Sequence, residues 1–290
     1  MEIVNMSSNK FKSLKGLELA NNILSTEFEL FKFNYRGEAK VFKKLYNTDG
    51  IKFANKLYTL ESLNDSKNYI PNNFILPEFL VAINRRIEGF SMKYVDGVNL
   101  SNILNDIKID IPEKKYYLME IGRILKQMKT IRTGTSLKDF YLGDLHEDNF
   151  LVNPCSKEMF VADLDSCKIR GNQSSPARYL TPMALFNEVD TSKYLRTIND
   201  SLTDFEVNEN TDIYCYTIII LNYLYNGKIN NIGIEEFYRF INYLNDIGID
   251  KELIQCFNKI LMYGDNINPC DYIDTLTPKQ ICQARKLYKK

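Results

Sequence analysis

Apolar and polar residues alternate along Glu29-Leu-Phe-Lys-Phe33, break at Asn-Tyr-Arg-Gly37, and alternate again through Glu-Ala-Lys-Val-Phe-Lys43-Lys-Leu-Tyr46. A period of two on either side of a glycine predicts a β-hairpin. In its second strand Ala39, Val41, Lys43 and Leu45 share one face, so Lys43 is a lysine on an otherwise apolar face, while Lys44 points the other way, toward solvent. From Ile51 to Leu63 the period becomes helical, with Ala54, Leu57 and Tyr58 on a face that also receives Glu61. Gly89-Phe-Ser-Met92-Lys93-Tyr94-Val95 reads as a strand ending in an Asp96-Gly97 turn. Leu118, Ile121, Ile124, Leu125 and Met128 give a second helix between Tyr117 and Met128. Two short apolar runs, Asn149-Phe-Leu-Val152 and Met159-Phe-Val-Ala162, read as strands joined by the turn material Asn153-Pro-Cys-Ser-Lys157.

The last pair of strands carries chemistry. Joined as neighbours, they deliver Asn149, before the first, and Asp163, after the second, to the same edge. An amide oxygen and a carboxylate are hard ligands that suit magnesium, which keeps waters and phosphate oxygens in its other positions. Asp144, five residues before Asn149, can accept a hydroxyl proton across the loop. Together the three supply the minimum equipment for phosphoryl transfer. Asp and Asn also populate turns and cap helices without any catalysis. The downstream Asp163, preceded by apolar residues, is what favours the catalytic reading.

Leu142-Gly143-Asp144-Leu-His146-Glu-Asp148-Asn149, with Val-Ala-Asp163-Leu-Asp165, resembles the catalytic core of the protein-kinase-like superfamily, which includes bacterial protein kinases and the aminoglycoside and choline kinases. The resemblance runs from about Phe28 to Leu276. It implies an α+β, bilobal fold: a small antiparallel β-sheet N-lobe with an αC-like helix over residues 1–95, and a mainly helical C-lobe over residues 96–290. It also implies that Asp144 is the catalytic aspartate and that Asn149 and Asp163 bind Mg2+. Lys43 would hold the α and β phosphates of ATP, with Glu61 as its helical partner; a register shift of a few residues would put Lys56 there instead. Met92 would be the gatekeeper, and the backbone of Lys93, Tyr94 and Val95 would meet the adenine edge. Thr211 to Gly227 resembles the buried central helix of the C-lobe. Its Asp212 would bind backbone amides of the catalytic loop; a simple N-terminal helix cap is the plainer role, and the two can coexist. Leu253 to Leu261 and Asn268 to Leu276 look like closing helices.

The departures from the family pattern bear on regulation and turnover. Leu142-Gly143-Asp144 stands in place of H-R-D, which removes the usual receptor for a phosphorylated activation loop. Asp165 stands where D-F-G has glycine, and Leu17 to Glu27 contains none of the glycines that let backbone amides approach phosphate. Ser175-Pro-Ala-Arg-Tyr179-Leu-Thr-Pro182-Met183 resembles the A-P-E segment with methionine in place of the glutamate, and Ser174 and Ser175 are candidate autophosphorylation sites. The order of these segments favours a serine/threonine protein kinase with a protein substrate. A small-molecule kinase of the aminoglycoside or choline type, or a pseudokinase acting as a nucleotide-binding scaffold, are the alternatives.

Composition narrows the remaining classes. A chain of 290 residues with 44% hydrophobic content can bury a substantial core. Thirty-seven basic residues balance 37 acidic ones, so no charged field points to nucleic acid or a membrane surface. The longest apolar run, Tyr214 to Leu221, is far short of the ~20 residues that span a bilayer, and no secretory signal is read at Met1. Six cysteines without a C-x-x-C pair fit reduced thiols in a cytoplasmic protein. His146 is the single histidine, which excludes a multi-histidine zinc site; beside Asp144 it suits a turn-stabilising role. Oligomeric state is left open.

Overall fold

The computed structural model describes residues 1–16, 27–173, 196–197, 205–229 and 232–286. Ser174, the segment Ser175–Met183, and all of Leu17–Glu27 except its last residue lie outside them. The chain divides into two compact units, residues 1–102 with 148–174, and residues 103–147 with 175–290. The segment carrying Asn149 and Asp163 thus groups with the N-terminal residues, because its strands pair there.

The first unit opens with β1 (Ile3–Met6), α1 (Ser8–Lys12) and β2 (Lys15–Gly16), followed by β3 (Phe28–Tyr35), β4 (Glu38–Leu45) and α2 (Gly50–Asp65). Then come β5 (Pro77–Ile83), β6 (Arg86–Lys93) and β7 (Val98–Asn99). Strands β3 and β4 pair from Phe28 opposite Leu45 to Tyr35 opposite Glu38, leaving Arg36-Gly37 as a two-residue turn with both φ angles positive. That is the turn whose twist matches the flanking strands. Asn84-Arg85 does the same between β5 and β6. The sheet order is β1-β5-β6-β4-β3-β2; β1 runs parallel to β5, and the other pairings are antiparallel. Alternation sends Met6, Phe33, Phe42, Phe79 and Val81 to one face, where Phe11 and Leu14 cover them. Leu80 and Phe90 go to the other, against Leu57 and Leu60 of α2.

One glycine in this sheet is fixed by space. A Cβ at Gly89 would lie 2.0 Å from the Lys43 carbonyl oxygen, so only glycine lets β6 lie this close to β4. Gly89→Ala is expected to lower stability by roughly 1–3 kcal/mol by forcing the strands apart. Thermal unfolding of the variant checks this; an unchanged Tm would contradict the packing.

A second, smaller sheet joins β7 to β8 (Phe150–Val152) and β9 (Met159–Val161). The Asn153 side chain accepts from the amides of Cys155 and Ser156 and shapes the turn between β8 and β9. The short strands β10 (Lys168–Ile169) and β11 (Asn172–Gln173) complete this unit.

The second unit is mainly helical. After α3 (Leu100–Asn105), α4 (Ile111–Gly134) starts at an Asp110 side chain that accepts from Glu113 N–H, with proline in its first turn. It buries Tyr117, Leu118, Ile121, Ile124, Leu125 and Met128. Two two-residue strands, β12 (Arg196–Thr197) and β13 (Phe205–Glu206), pair before α5 (Glu209–Tyr225). A reciprocal capping box between Asn208 and Thr211 opens α5, whose residues from Thr211 to Tyr225 are all buried. Its Tyr216 hydroxyl donates to Leu118 O at 2.8 Å, pinning α5 to α4. Then follow α6 (Ile234–Asp246), α7 (Lys251–Tyr263), α8 (Cys270–Ile273) and α9 (Pro278–Lys286). Among the described residues no helix is long and apolar enough to cross a membrane.

Candidate functional site

Lys43 sits in the middle of β4, 3% exposed, with its ammonium 4.0 Å from the centre of the Phe28 ring. A charge so placed is costly unless paired. Two carboxylates pair it: Asp163 in close contact, and Asp165 Oδ1 at 2.7 Å. The other oxygen of Asp165 accepts from Lys56 of α2 at 2.6 Å, so one fully buried carboxylate bridges two lysines. Burial works against the Lys43 charge, but the two acids overcome it and raise its pKa. Burial likewise opposes ionisation of Asp165, yet Lys43 and Lys56 hold its carboxyl well below the usual range. In Asp163, burial and the neighbouring Asp165 charge push the other way, against Lys43, and its pKa is raised.

The metal-binding candidates come together as the strand pairing predicts. Phe150 lies opposite Val161, and Ala162 N–H donates to Asn149 O at 2.8 Å, which sets Asn149 and Asp163 at the same end of β8 and β9. Asp163 takes a left-handed backbone, φ 59°, and keeps 30% of its side chain exposed. An amide oxygen and a partly exposed carboxylate at one strand edge fit magnesium, with room for water and phosphate ligands. No cluster of three or more His, Cys, Asp or Glu side chains competes as a metal site among the described residues.

The expected adenine-facing residues lie at the end of β6. Met92 packs with Leu60, Leu80 and Phe90, lining the sheet side. Lys93 closes the strand opposite Lys40 and extends to within 6.0 Å of the Phe160 ring centre. Tyr94 N–H donates to Ala39 O at 3.3 Å, and its ring lies under the Lys32 ammonium. Val95 follows between β6 and β7.

Glu61 is exposed on α2, and the pairing expected between it and Lys43 is not made. The helix presents Lys56 to the cluster instead, and the carboxylate that holds Lys43 beside Asp163 comes from Asp165. Asp165 was visible in the sequence as a charge in a glycine's place, but its bridging role was not. Nor was Asn172, whose amide donates to Asn55 O and to the buried Thr59 hydroxyl, both at 2.7 Å, fastening β11 to α2.

The loop that carries Asp144 is built within the second unit. Asp212, 2% exposed at the start of α5, accepts from Leu142 N–H at 2.9 Å and from Gly143 N–H at 2.8 Å, one to each carboxylate oxygen. The helix cap falls to Asn208, which frees Asp212 for the loop. Burial pushes Asp212 up to about 6, against those two N–H groups and Arg132. Gly143 has φ 76°, a conformation a side chain would strain, and so the loop turns immediately before Asp144. Asp144 keeps 20% of its side chain exposed, with the Nε2 of the buried His146 at 3.7 Å. Arg132 of α4 donates to Phe140 O at 3.1 Å and pairs with Glu209 at 3.2 Å, securing the approach to the loop.

No family model and no curated protein matches the chain. Solved structures do. The kinase domain of maize sucrose-induced receptor kinase 1, bound to AMP-PNP, aligns with 97% of this chain and 97% of its own at a TM-score of 0.59 and 12% identity. A pseudokinase in its apo form aligns with 99% of this chain and 95% of its own at a TM-score of 0.55 and 9% identity. These likenesses, with the α+β architecture, show that the chain has the fold of protein kinase domains.

Proposed function

We propose that this protein is an ATP- and Mg2+-dependent phosphotransferase, with a serine or threonine hydroxyl of a protein as acceptor. The observation that carries the reading is the placing of Asn149 and Asp163 at the same end of the paired strands β8 and β9, with the buried Lys43 against Asp163. Asp144 would orient the acceptor hydroxyl and take its proton, on a loop that Asp212 holds from behind. Lys43 would exchange its contact with Asp163 for the non-transferred phosphates while keeping Asp165. The Tyr94 N–H is already committed to Ala39, so Val95 is the residue we assign to the base as backbone donor, with Met92 as an apolar wall. Asn149 and Asp163 would hold Mg2+, which supplies neutralisation of phosphate charge. Because the transition state is loose, positioning and charge account for most of the acceleration.

A second reading, a pseudokinase that binds nucleotide as a scaffold, is favoured by the direct Lys43–Asp163 contact, which occupies both groups with each other. An acceptor panel separates the classes. Label from the γ-phosphate is expected on a generic protein acceptor. ATP consumption only with amino sugars or choline would move the protein to the small-molecule kinases, and nucleotide-induced stabilisation without turnover would favour the scaffold.

A further inference from the structure

We infer that Lys56 and Asp165 form a charge-inverted replacement for the helical glutamate that would otherwise hold Lys43, and that they act as positioning residues for the nucleotide site. This rests on the nucleotide-binding reading above and deepens it. Lys43 needs a fixed anion: a lysine has several rotatable bonds and a strongly hydrated head, so a buried one is oriented only by its partners. A glutamate on α2 would both supply that anion and tie the helix to the sheet. Here the two jobs are divided. Asp165, 1% exposed, supplies the anion on the metal-binding segment. Lys56 supplies the tie, reaching from α2 to the second oxygen of the same carboxylate.

Charge accounting explains why the two departures occur together. Asp165 alone, beside Asp163 and a glutamate from α2, would leave three buried acids around Lys43. Lysine at position 56 alone, without Asp165, would set two cations against Asp163. With both present, two lysines meet two aspartates and the cluster is neutral. The neighbouring contacts serve the same end. Asn172 grips Asn55 and Thr59 one turn along the helix, and Arg170 lies 3.8 Å from Asp65, so α2 is fastened to the segment after Asp163 at three levels. Position of α2, orientation of Lys43 and placement of Asp163 are thereby one mechanical unit, without any use of Glu61.

The test is a charge-swap cycle in the full chain: Lys56→Glu, Asp165→Ala and the double variant, which recreates an ordinary lysine–glutamate pairing. Each single change is expected to weaken Mg-ATP binding about tenfold or more, and the double to recover to within about threefold of wild type, as coupled sites do. Singles that bind like wild type, or a double no better than the worse single, would overturn the inference. Amide hydrogen exchange without nucleotide supplies an independent arm: α2 and residues 164–172 should exchange faster in each single, and in the double α2 alone should return, because its new carboxylate meets Lys43 while position 165 no longer offers it a partner. Exchange unchanged in both singles would overturn the tie. A wild type that exchanges as expected but binds no nucleotide would refute the proposed function and leave the tie standing.

Discussion

Replacing Asp163 by alanine is expected to reduce magnesium-dependent phosphate transfer on the order of 10³-fold while leaving the fold nearly as stable as wild type. The two halves of this expectation have separate causes. Transfer falls because Asp163 is the sole carboxylate assigned to the metal, and Asn149 offers a single neutral oxygen. Stability holds because Lys43 keeps Asp165 at 2.7 Å, so its ammonium remains paired, and because Asp163 leaves a third of its side chain exposed in any case. Asp165→Ala should lower the Tm as well as weaken Mg-ATP binding, since Lys43 and Lys56 would lose the carboxylate between them. Comparing the Tm and transfer rate of the two variants checks both halves. An Asp163→Ala protein that is folded and active would refute the metal assignment.

The second large effect concerns the loop that carries Asp144. Asp212→Ala removes both acceptors of the Leu142 and Gly143 amides at a site closed to water. Leaving a buried N–H unmet costs about 1–3 kcal/mol, so two of them give a loss of roughly 2–6 kcal/mol, minus any relaxation of the loop. Asp212→Asn retains one carbonyl acceptor and turns an amide donor toward the other N–H, so it should fall between alanine and wild type. Chemical denaturation ranks the three proteins. The transfer rate should fall further than nucleotide affinity, because the loop carries Asp144 while the nucleotide candidates lie in the other unit. A loss confined to affinity would contradict the role given to Asp212.

The elements that the sequence predicts well are those whose signals are local. Arg36-Gly37 closes β3 and β4 because both residues accept positive φ, and Asn153 builds its own turn through two side-chain bonds. The distance from Asn149 to Asp163 follows from that turn, and so the shared edge could be read in advance. Asp212 was legible as a loop clamp that could also cap the helix; the capping box at Asn208 and Thr211 takes the cap, and Asp212 holds the loop. The helix from Tyr117 to Met128 was read short at both ends, because α4 runs from Ile111 to Gly134 and its outer turns carry few apolar residues.

What was not legible depended on partners far away in the chain. The rotation of α2 is set by Lys56, whose partner Asp165 lies 109 residues on, and the apolar positions of that helix do not define a face narrow enough to choose between Lys56 and Glu61. Strand β1 is four residues long and gains its place only by lying parallel beside β5, a pairing with no turn to announce it. Gly89 looked like an ordinary strand glycine, and only the approach of the Lys43 carbonyl reveals why a side chain is excluded.

Phosphoryl transfer with Asp144 as the base is tested by the label it would leave on protein. Purified wild type and Asp144→Asn are incubated with γ-labelled ATP and magnesium, with and without a generic protein acceptor. Label is expected on protein in the wild type, and its loss in a variant that still binds ATP and unfolds at the same temperature. Equal labelling by both proteins would contradict it.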